Sequence, residues 1–348
     1  MIVSSIKEDE KKKIVEVSPI EEICVLANTN SVVDNGIRPG RFDDIIGRGT
    51  EKKTLRMMID SAKKREEVLD HILFYGPPGL GKTTFAMAIT SEIGTTLRVT
   101  SGPAIERPGD LAAVLTNLNS GDVLFIDEIH RLPRTVEEIL YPAMEDRVLD
   151  IVMGKGPSAK TIRLNLEPFT LVGATTQIGK ISAPMRDRFG LVQRLDYFDD
   201  EDLVQILKRA CDIWNISIDS ESLLSIATRS RGTARVGLRL LKRVRDYVQS
   251  SDIESINQDS VTKALDLLGI DELGLEPIDR KILITIYDHF NGGPVGLSTL
   301  SASISEDIET LEGVYEPFLM KCGLIKRTSR GRVLTETGIT KVMSLKND

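Results

Sequence analysis

The sequence predicts an α/β domain built on a parallel sheet, followed by a small all-α domain and a winged-helix domain. The first is predicted by a glycine-rich loop that joins a short apolar strand to a helix. The second is predicted by helical periodicity from about residue 199, and the third by three short helices and a hairpin near the C-terminus. The expected segments are a partly disordered extension at 1–35 and domains at 36–198, 199–272 and 273–348.

Composition limits the class of protein. The apolar fraction of 41% is enough for real cores, and a net charge of −7 argues against a globally basic nucleic-acid binder while allowing a local basic patch. The three cysteines, Cys24, Cys211 and Cys322, lack the spacing of a zinc site, which favours a reducing, cytoplasmic setting. No run approaches the ~20 apolar residues of a membrane span, so we expect no membrane contact. We also expect no secretion signal at the N-terminus.

The glycine-rich loop has the spacing of a P-loop. Residues 76–83, GPPGLGKT, follow the apolar strand at 72–75 and precede a helix at 84–93. Gly79 and Gly81 allow backbone N–H groups to converge on phosphate oxygens. Lys82 is placed for the β- and γ-phosphates and the Thr83 hydroxyl for Mg²⁺. The pattern therefore predicts that the chain binds ATP with Mg²⁺.

A second strand ends in two carboxylates. Residues 123–126, VLFI, run directly into Asp127 and Glu128. The carboxyl ends of parallel strands face the ligand crevice, so Asp127 is placed to hold Mg²⁺ and Glu128 to act as general base. The plain structural alternative is an acidic cap after a buried strand. The P-loop upstream favours the functional interpretation.

The rest of the first domain is predicted as alternating helices and strands. Expected helices are at 51–65 and 110–118, expected strands at 97–100 and 169–176, and a hairpin at 148–153 with 161–166. Hydroxyl residues, Thr175 and Thr176, end the last strand. Arg186 and Arg188 follow it, and the residues alone leave them as either surface charges or ligands of a γ-phosphate.

The last two domains are predicted mainly as helices. The all-α domain is expected to have helices at 203–214, 221–230, 234–249 and 260–268. The winged helix is expected to have helices at 279–290, 298–302 and 308–320 and short strands at 324–327 and 332–334. Its hairpin carries five cations and no acid: Lys321, Lys326, Arg327, Arg330 and Arg332. This hairpin is either a solvated turn or a clamp for DNA phosphates, and its charge favours the clamp.

Several stretches together resemble one family. They include DHILFYGPPGLGKTT (70–84), DVLFIDEIHRLPRTVEEILYPAMED (122–146), PMRDRFG (184–190), RGTAR (231–235) and KRTSRGR (326–332). Together with other matching stretches they span residues 37–333 and resemble the RuvB family of AAA+ ATPases, the bacterial motors of Holliday-junction branch migration. The resemblance implies an AAA+ P-loop domain, a lid domain and a DNA-binding winged helix. It also implies a homohexameric ring around duplex DNA, with RuvA and RuvC as partners in recombination, repair and the SOS response.

The resemblance also implies roles for individual residues. Lys82, Thr83 and Thr84 would bind ATP and Mg²⁺, with Asp127 and Glu128 as the Walker B pair. Thr176 matches sensor 1, Arg188 an arginine finger that acts on a neighbouring subunit, and Arg235 sensor 2. Other positions match nucleotide contacts: Ile37, Arg38, Phe198, Glu145, Asp146 and Arg147. Arg327 and Arg332 match DNA contacts, and the hairpin at 148–166 matches the element bound by RuvA, with Ile151 and Met153 as its apolar contacts.

The sequence departs from the family pattern at three positions and leaves two rival classes. Phe198 replaces a usual Tyr, Gln177 a usual Arg, and Ile308 stands where the family can carry a basic DNA contact. One rival is another AAA+ machine such as a clamp-loader subunit, which would carry a helical collar in place of the basic wing. The other is a DNA-binding regulator that uses ATP as a switch, which would need neither Glu128 nor Arg188.

Overall fold

The protein is described by a computed structural model over residues 36–153, 160–251, 253 and 255–347. These residues form two compact units. The first runs to Pro77 and resumes over Gly81–Asp196, and the second comprises Pro78–Leu80 and the residues from Tyr197 onward. The tip of the glycine-rich loop, Pro78–Leu80, therefore belongs with the helices that follow the sheet.

The first unit is organised by a five-stranded sheet in the order β2-β3-β6-β1-β7, and every neighbouring pair in it is parallel. Its strands are β1 (Ile72–Tyr75), β2 (Leu97–Ser101), β3 (Val123–Asp127), β6 (Thr170–Thr175) and β7 (Leu191–Arg194). The three central strands are buried almost throughout, as expected where helices cover both faces of a parallel sheet. The predicted parallel-sheet domain is confirmed.

Helices cover this sheet. They are α1 (Gly49–Arg65), α2 (Lys82–Ile93), α3 (Pro108–Thr116), α4 (Arg134–Glu145) and the short α5 (Ala183–Arg186). Phe85 on α2 stacks on Phe74 of β1 with ring centroids 5.3 Å apart, and also contacts Phe42 at 6.3 Å. These rings fix the first turn of α2 relative to the strand that precedes the glycine-rich loop.

An antiparallel hairpin leaves the sheet domain after α4. It consists of β4 (Val148–Met153) and β5 (Lys160–Asn165), with Val148 paired to Asn165 and Met153 to Lys160. The predicted hairpin is confirmed. Ile151 and Met153 lie on β4, but their side chains and residues 154–159 lie outside the described part of the structure.

The second unit begins with four helices. They are α6 (Asp200–Trp214), α7 (Ser220–Thr228), α8 (Ala234–Ser250) and α9 (Gln258–Leu267). Each starts at a side-chain cap that accepts a backbone N–H, from Asp199, Asp219, Thr233 and Asn257 respectively. The four helices predicted for the lid are present within a few residues of their expected bounds.

A winged helix completes the second unit. Its elements are α10 (Pro277–Phe290), α11 (Leu297–Ile304), α12 (Ile308–Thr310), α13 (Glu316–Lys321), β8 (Ile325–Thr328), β9 (Gly331–Leu334) and α14 (Glu336–Asn347). A π-helical turn, Leu311–Tyr315, joins α12 to α13. The three helices and the hairpin were predicted, whereas α14 and the edge strand β7 were not. None of the described helices combines the length and apolar character needed to cross a bilayer.

Candidate nucleotide and DNA sites

The strand order brings the predicted phosphate site to one edge of the sheet. β6 lies between β1 and β3, with Tyr75 paired to Thr175 and Ile126 to Gly173. The glycine-rich loop follows β1, Asp127 ends β3, and Thr175 ends β6 between them. Neighbouring strands lie about 4.8 Å apart, so the carboxylate strand is about 10 Å from the P-loop strand. That separation leaves room for a phosphate chain and a cation.

The loop backbone has the conformation that its glycines permit. Gly76, Gly79 and Gly81 have φ values of 143°, 80° and 92°. A Cβ added to Gly76 would lie 2.3 Å from the Leu195 carbonyl oxygen, so no side chain fits there. Positive φ at these three glycines lets N–H groups of the loop turn toward one concave side, the arrangement that binds phosphate oxygens.

Lys82 lies in the first turn of α2 and is buried. Its Nζ donates hydrogen bonds to the carbonyl oxygens of Gly76, at 2.9 Å, and Pro77, at 2.8 Å. The ammonium group is thus held against the concave loop at a helix N-terminus, where an anion is stabilised. Thr83 follows on the same turn and is partly exposed. These residues fit the phosphates and Mg²⁺ of a nucleotide.

The tip of the loop lies beside the predicted sensor 2 within the second unit. A Cβ added to Gly79 would lie 2.8 Å from the Arg235 Cβ and 3.5 Å from the Thr233 Cβ. Thr233 caps α8, and Arg235 is in its first turn. The Arg235 Cβ therefore lies beside the tip of the loop, and the role of Arg235 as sensor 2 stays a prediction from the resemblance.

The carboxylate pair has a defined geometry. The Glu128 N–H donates to Asp127 Oδ1 at 2.9 Å, and Glu128 Oε2 accepts from Arg131 Nη1 at 3.2 Å. Glu128 has a φ of 48°, which is uncommon for a residue with a side chain. Its carbonyl oxygen lies so close to Gly102 that a Cβ there would be 2.3 Å away. This tight turn directs Glu128 away from the strand direction that Asp127 still follows.

A hydrogen-bond network that sequence reasoning missed supports this turn. His130 Nδ1 lies 3.0 Å from Thr175 Oγ1, which also accepts the Gln177 N–H at 2.9 Å. Burial lowers the pKa of His130 against the opposing effect of the Glu128 charge, so the ring is neutral at pH 7. Thr176, the predicted sensor 1, is the first residue after β6 and is exposed. The only sequence signal for the network was a His two residues after the carboxylate pair.

Arg188 is anchored within the first unit, away from the glycine-rich loop. Its Nη1 donates to the Pro184 carbonyl at 2.6 Å and its Nη2 to Glu145 Oε2 at 3.1 Å. The guanidinium lies over the Tyr141 ring, 4.5 Å from its centroid. Its hydrogen bonds, ion pair and ring contact in the described chain all go to these residues. The side chain therefore makes no hydrogen bond to the P-loop of its own subunit.

The remaining predicted nucleotide residues lie in three places. Glu145 ends α4, Asp146 caps it, and Arg147 follows with a φ of 56°; all three are exposed. Ile37 is buried and Arg38 exposed at the start of the first unit. Phe198 is half-buried in the second unit, where its N–H donates to the Gly232 carbonyl at 2.9 Å. Their roles stay predictions from the resemblance.

The basic wing is organised by one buried acid. Glu316, 5% exposed, accepts from Arg332 Nη2 at 2.8 Å and from the Nε atoms of Arg327 and Arg332 at 3.0 Å each. The Arg332 side chain is only 12% exposed, whereas Arg327 is 48% exposed and also pairs with Glu312 at 3.2 Å. The two arginines that match DNA contacts are therefore both held by carboxylates.

Two other wing cations are open to solvent. Lys326 and Arg330 are exposed, and their side chains form no ion pair or hydrogen bond with the rest of the described chain. The helical run before the wing, 308–320, contains no Lys or Arg. Glu309 and Glu312 are exposed on it, and so is Asp307 immediately before it. A phosphate would thus be attracted to the wing and repelled by the helix.

Comparisons with known proteins agree with this layout. Three family models match in succession: the Holliday junction DNA helicase RuvB P-loop domain over residues 37–195, the RuvB AAA lid domain over 198–271 and the RuvB C-terminal winged helix domain over 272–343. The Thermotoga maritima RuvB Holliday junction branch migration motor is 46% identical, with a TM-score of 0.80, over 88% of this chain and 98% of that chain. The chain belongs to the RuvB family. Two point mutants of the Thermotoga protein, each 47% identical over the same shares, give TM-scores of 0.82 and 0.81.

Membership of the RuvB family makes this chain a P-loop ATPase of the helicase type. It also accounts for the sequence of a sheet domain, a lid and a winged helix in one chain. The clamp-loader alternative is wrong, because the C-terminal domain is a RuvB winged helix and not a helical collar.

The Glu316 cluster generates a stability prediction. Burial alone would raise the pKa of Glu316, but hydrogen bonds and charges from Arg327 and Arg332 outweigh it and hold the pKa below its usual range. A depressed pKa means that the stabilisation is complete above the unfolded value of ~4.3 and is lost as the pH falls through the folded value. We expect Glu316→Gln to lower the free energy of unfolding by about 1–3 kcal/mol at pH 7.

This difference should shrink as the pH is lowered below about 4.3, because the unfolded carboxyl then takes up a proton, and it should be lost once the pH falls below the folded pKa and Glu316 is neutral in the folded parent as well. Urea unfolding of the full chain between about pH 3 and pH 7 measures it. Glu309→Gln, an exposed acid on the same helical run, is the control and should change stability by less than about 0.5 kcal/mol. An equal loss at all pH values would contradict the assigned role of the Glu316 charge.

Proposed function

We propose that this chain is an ATP-driven motor that translocates duplex DNA and drives branch migration of Holliday junctions. One observation carries the proposal: a phosphate site at one sheet edge and a basic wing occur in a single chain that RuvB domain models match from residue 37 to residue 343. As in the family, we propose a homohexameric ring that works with RuvA, with RuvC resolving the junction, in recombination and repair in the cytoplasm.

The sheet edge supports ATP hydrolysis with Mg²⁺. We propose that Gly79, Gly81, Lys82, Thr83 and Thr84 hold the phosphates, and that Thr83 and Asp127 hold Mg²⁺. Mg²⁺ would supply charge neutralisation on the β- and γ-phosphates. Glu128 would orient the attacking water and accept its proton. Thr176, at the end of the strand between the P-loop strand and the carboxylate strand, would contact the γ-phosphate.

The position of Arg188 supports catalysis between subunits. Its guanidinium is held by Tyr141, Pro184 and Glu145 on a surface that does not contact its own P-loop. An arginine fixed in this way is pre-organised to stabilise charge in a neighbouring site, at little entropic cost. Glu145, Asp146 and Arg147 lie beside it, and we place them at the same interface between subunits. Hydrolysis would then require ring assembly.

The wing supports DNA binding without sequence preference. Exposed Lys and Arg side chains contact phosphates, and phosphate contacts carry no base information. We propose that Lys326 and Arg330 contribute such contacts in addition to Arg327 and Arg332. The hairpin β4–β5, with Ile151 and Met153, is proposed as the RuvA contact.

The first experiment is branch migration of a synthetic four-way junction with ATP and Mg²⁺, with and without a RuvA protein. We expect RuvA-dependent conversion to duplex products. Lys82→Ala should abolish it, because the phosphates lose their main cationic ligand. ATP turnover without movement of the junction would contradict the motor and indicate a different remodelling activity on the same fold.

Arg188→Ala should retain ATP binding, and its rate of ATP hydrolysis should fall by about 10³-fold or more. Arg186→Ala, two residues away, is the matched control and should hydrolyse at the parent rate. Because Arg188 acts on a neighbour, mixing Arg188→Ala with Lys82→Ala chains should restore part of the activity. At half of the mixed interfaces, the intact P-loop of an Arg188→Ala chain meets the intact arginine of a Lys82→Ala chain. Failure of mixed rings to recover any hydrolysis would show that Arg188 does not act between subunits.

The wing prediction concerns the dependence of DNA affinity on salt. Lys326→Ala combined with Arg330→Ala should reduce the slope of log affinity against log salt by about 1.8, or 0.9 per phosphate contact. Arg332→Ala tests whether the arginine held by Glu316 also contacts phosphate, which would give a further reduction of about 0.9. Lys53→Ala with Lys64→Ala on α1 makes the same change in net charge and is the control. An unchanged slope in the wing variant would place the DNA contact elsewhere.

A further inference from the structure

The short helix α13 (Glu316–Lys321) is contacted on one side by the turn before α8 and on the other by the wing. We propose that α13 couples the nucleotide site to the DNA-binding wing, and that Arg231 is the positioning residue that fixes it to the lid. This inference rests on the proposed function, because it needs a nucleotide at the P-loop and DNA at the wing. All the residues that carry it lie in the second unit.

The first link joins the glycine-rich loop to the turn before α8. Gly79 is packed against the side chains of Thr233 and Arg235, with no space for a Cβ of its own. Thr233 accepts the Val236 N–H at 3.4 Å and so fixes the start of α8. A displacement of the loop tip therefore moves the turn at 231–233, because nothing compressible lies between them.

Arg231 is the second link. It has a φ of 56° and a side chain only 9% exposed. Its Nη2 donates to Asp279 Oδ2 at 2.5 Å, its Nε donates to the Gly274 carbonyl at 3.1 Å, and its guanidinium lies over the Phe318 ring at 4.5 Å. Phe318 belongs to α13, and Asp279 to the first turn of α10. One side chain of the lid thus contacts two helices of the winged helix.

The ion pair restricts how far these elements can separate. Asp279 is fully buried, and its Oδ2 also accepts the Glu276 N–H at 2.8 Å, while its Oδ1 has no partner in the described chain. A buried carboxylate without its cation is strongly destabilised. The Arg231–Asp279 pair therefore keeps its partners when the lid moves, and the winged helix follows.

A third contact fixes the other end of α13. Lys321 Nζ lies over the Tyr197 ring, 4.4 Å from its centroid, and Gly232 is so close that a Cβ there would lie 2.2 Å from the same nitrogen. Gly232 also accepts the Phe198 N–H at 2.9 Å. The turn at 231–233 is therefore fixed against α13 at two residues, at Arg231 through Phe318 and at Gly232 through Lys321.

The last link runs from α13 to the wing. Glu316 is the first residue of α13 and holds Arg327 and Arg332 on β8 and β9. A rotation of α13 moves Glu316 and, with it, the guanidinium groups that we propose contact DNA. Contiguous packed side chains and ion pairs of this kind are able to carry coupling between distant sites.

The test measures thermodynamic coupling and not activity. The affinity of the full chain for a duplex DNA is measured without nucleotide and with a non-hydrolysable ATP analogue, and the ratio of the two is the coupling factor. For the parent we expect a ratio of about 5 to 150. Linkage requires the same factor when the nucleotide affinity is measured without DNA and with saturating DNA, which provides an internal check.

Two variants interrupt the link without touching either binding site. Phe318→Leu removes the ring beneath Arg231 and keeps an apolar side chain. Arg231→Met combined with Asp279→Leu removes both charges together, so that no buried charge is left unpaired. We expect both to bind nucleotide alone and DNA alone within about threefold of the parent, and to have a coupling ratio close to 1. Lys263→Met, an exposed change on α9, is the control and should keep the parent ratio.

The outcomes separate the inference from the proposed function. A parent ratio of 1, or an unchanged ratio in folded variants, overturns the inference and leaves the motor proposal standing. The inference is also overturned if Phe318→Leu fails to bind nucleotide in the absence of DNA, because Phe318 would then support the nucleotide site directly. A parent that binds neither the ATP analogue nor duplex DNA overturns the proposed function itself. If the double variant does not fold, the ratio for Phe318→Leu decides.

Discussion

The parallel pairing of β6 between β1 and β3 is the constraint on which the candidate nucleotide site depends. It places the glycine-rich loop, a polar strand end and the carboxylate pair in one row at one edge of the sheet. Each of these segments is ordinary by itself, since many strands end in an acid or a hydroxyl. These segments form one site only because of the register of the parallel strands. A shift of one residue would turn the side chains of Asp127 and Thr175 to the opposite faces of the sheet.

Buried or half-buried polar contacts recur at the cations to which we assign functions. Lys82 is held by two loop carbonyls, Arg188 by Glu145 and a tyrosine ring, and Arg332 by Glu316. In each case the charge is kept in one orientation before any ligand arrives, so little conformational entropy is lost on binding. The disadvantage is that protein groups already neutralise part of each positive charge, so less of it is available to attract a ligand. The wing shows the balance most clearly, because Lys326 and Arg330 on the same hairpin have no such partner among the described residues.

Much of this arrangement was predictable from local sequence, since the P-loop, the carboxylate pair and the helices of the lid have short-range signatures. The parts that were not predicted depend on contacts between distant residues. β7 is a four-residue edge strand with alternating exposure, and its pairing with β1 decides that it is a strand at all. Glu316 resembles any acid in a helix until the fold brings Arg327 and Arg332 to it. Arg231 likewise carries no signal apart from its place in the stretch RGTAR.

The acidic run at 308–320 has a consequence for the kind of DNA the winged helix accepts. Because this helix carries exposed carboxylates and no cation, we expect it to be repelled from a DNA groove and not to read base edges. Mismatched pairs, modified bases and heterologous sequence differ from normal duplex mainly at those edges. If DNA binds only through the wing, as we propose, binding would be insensitive to these differences, and the domain would suit duplexes whose strands have exchanged partners imperfectly.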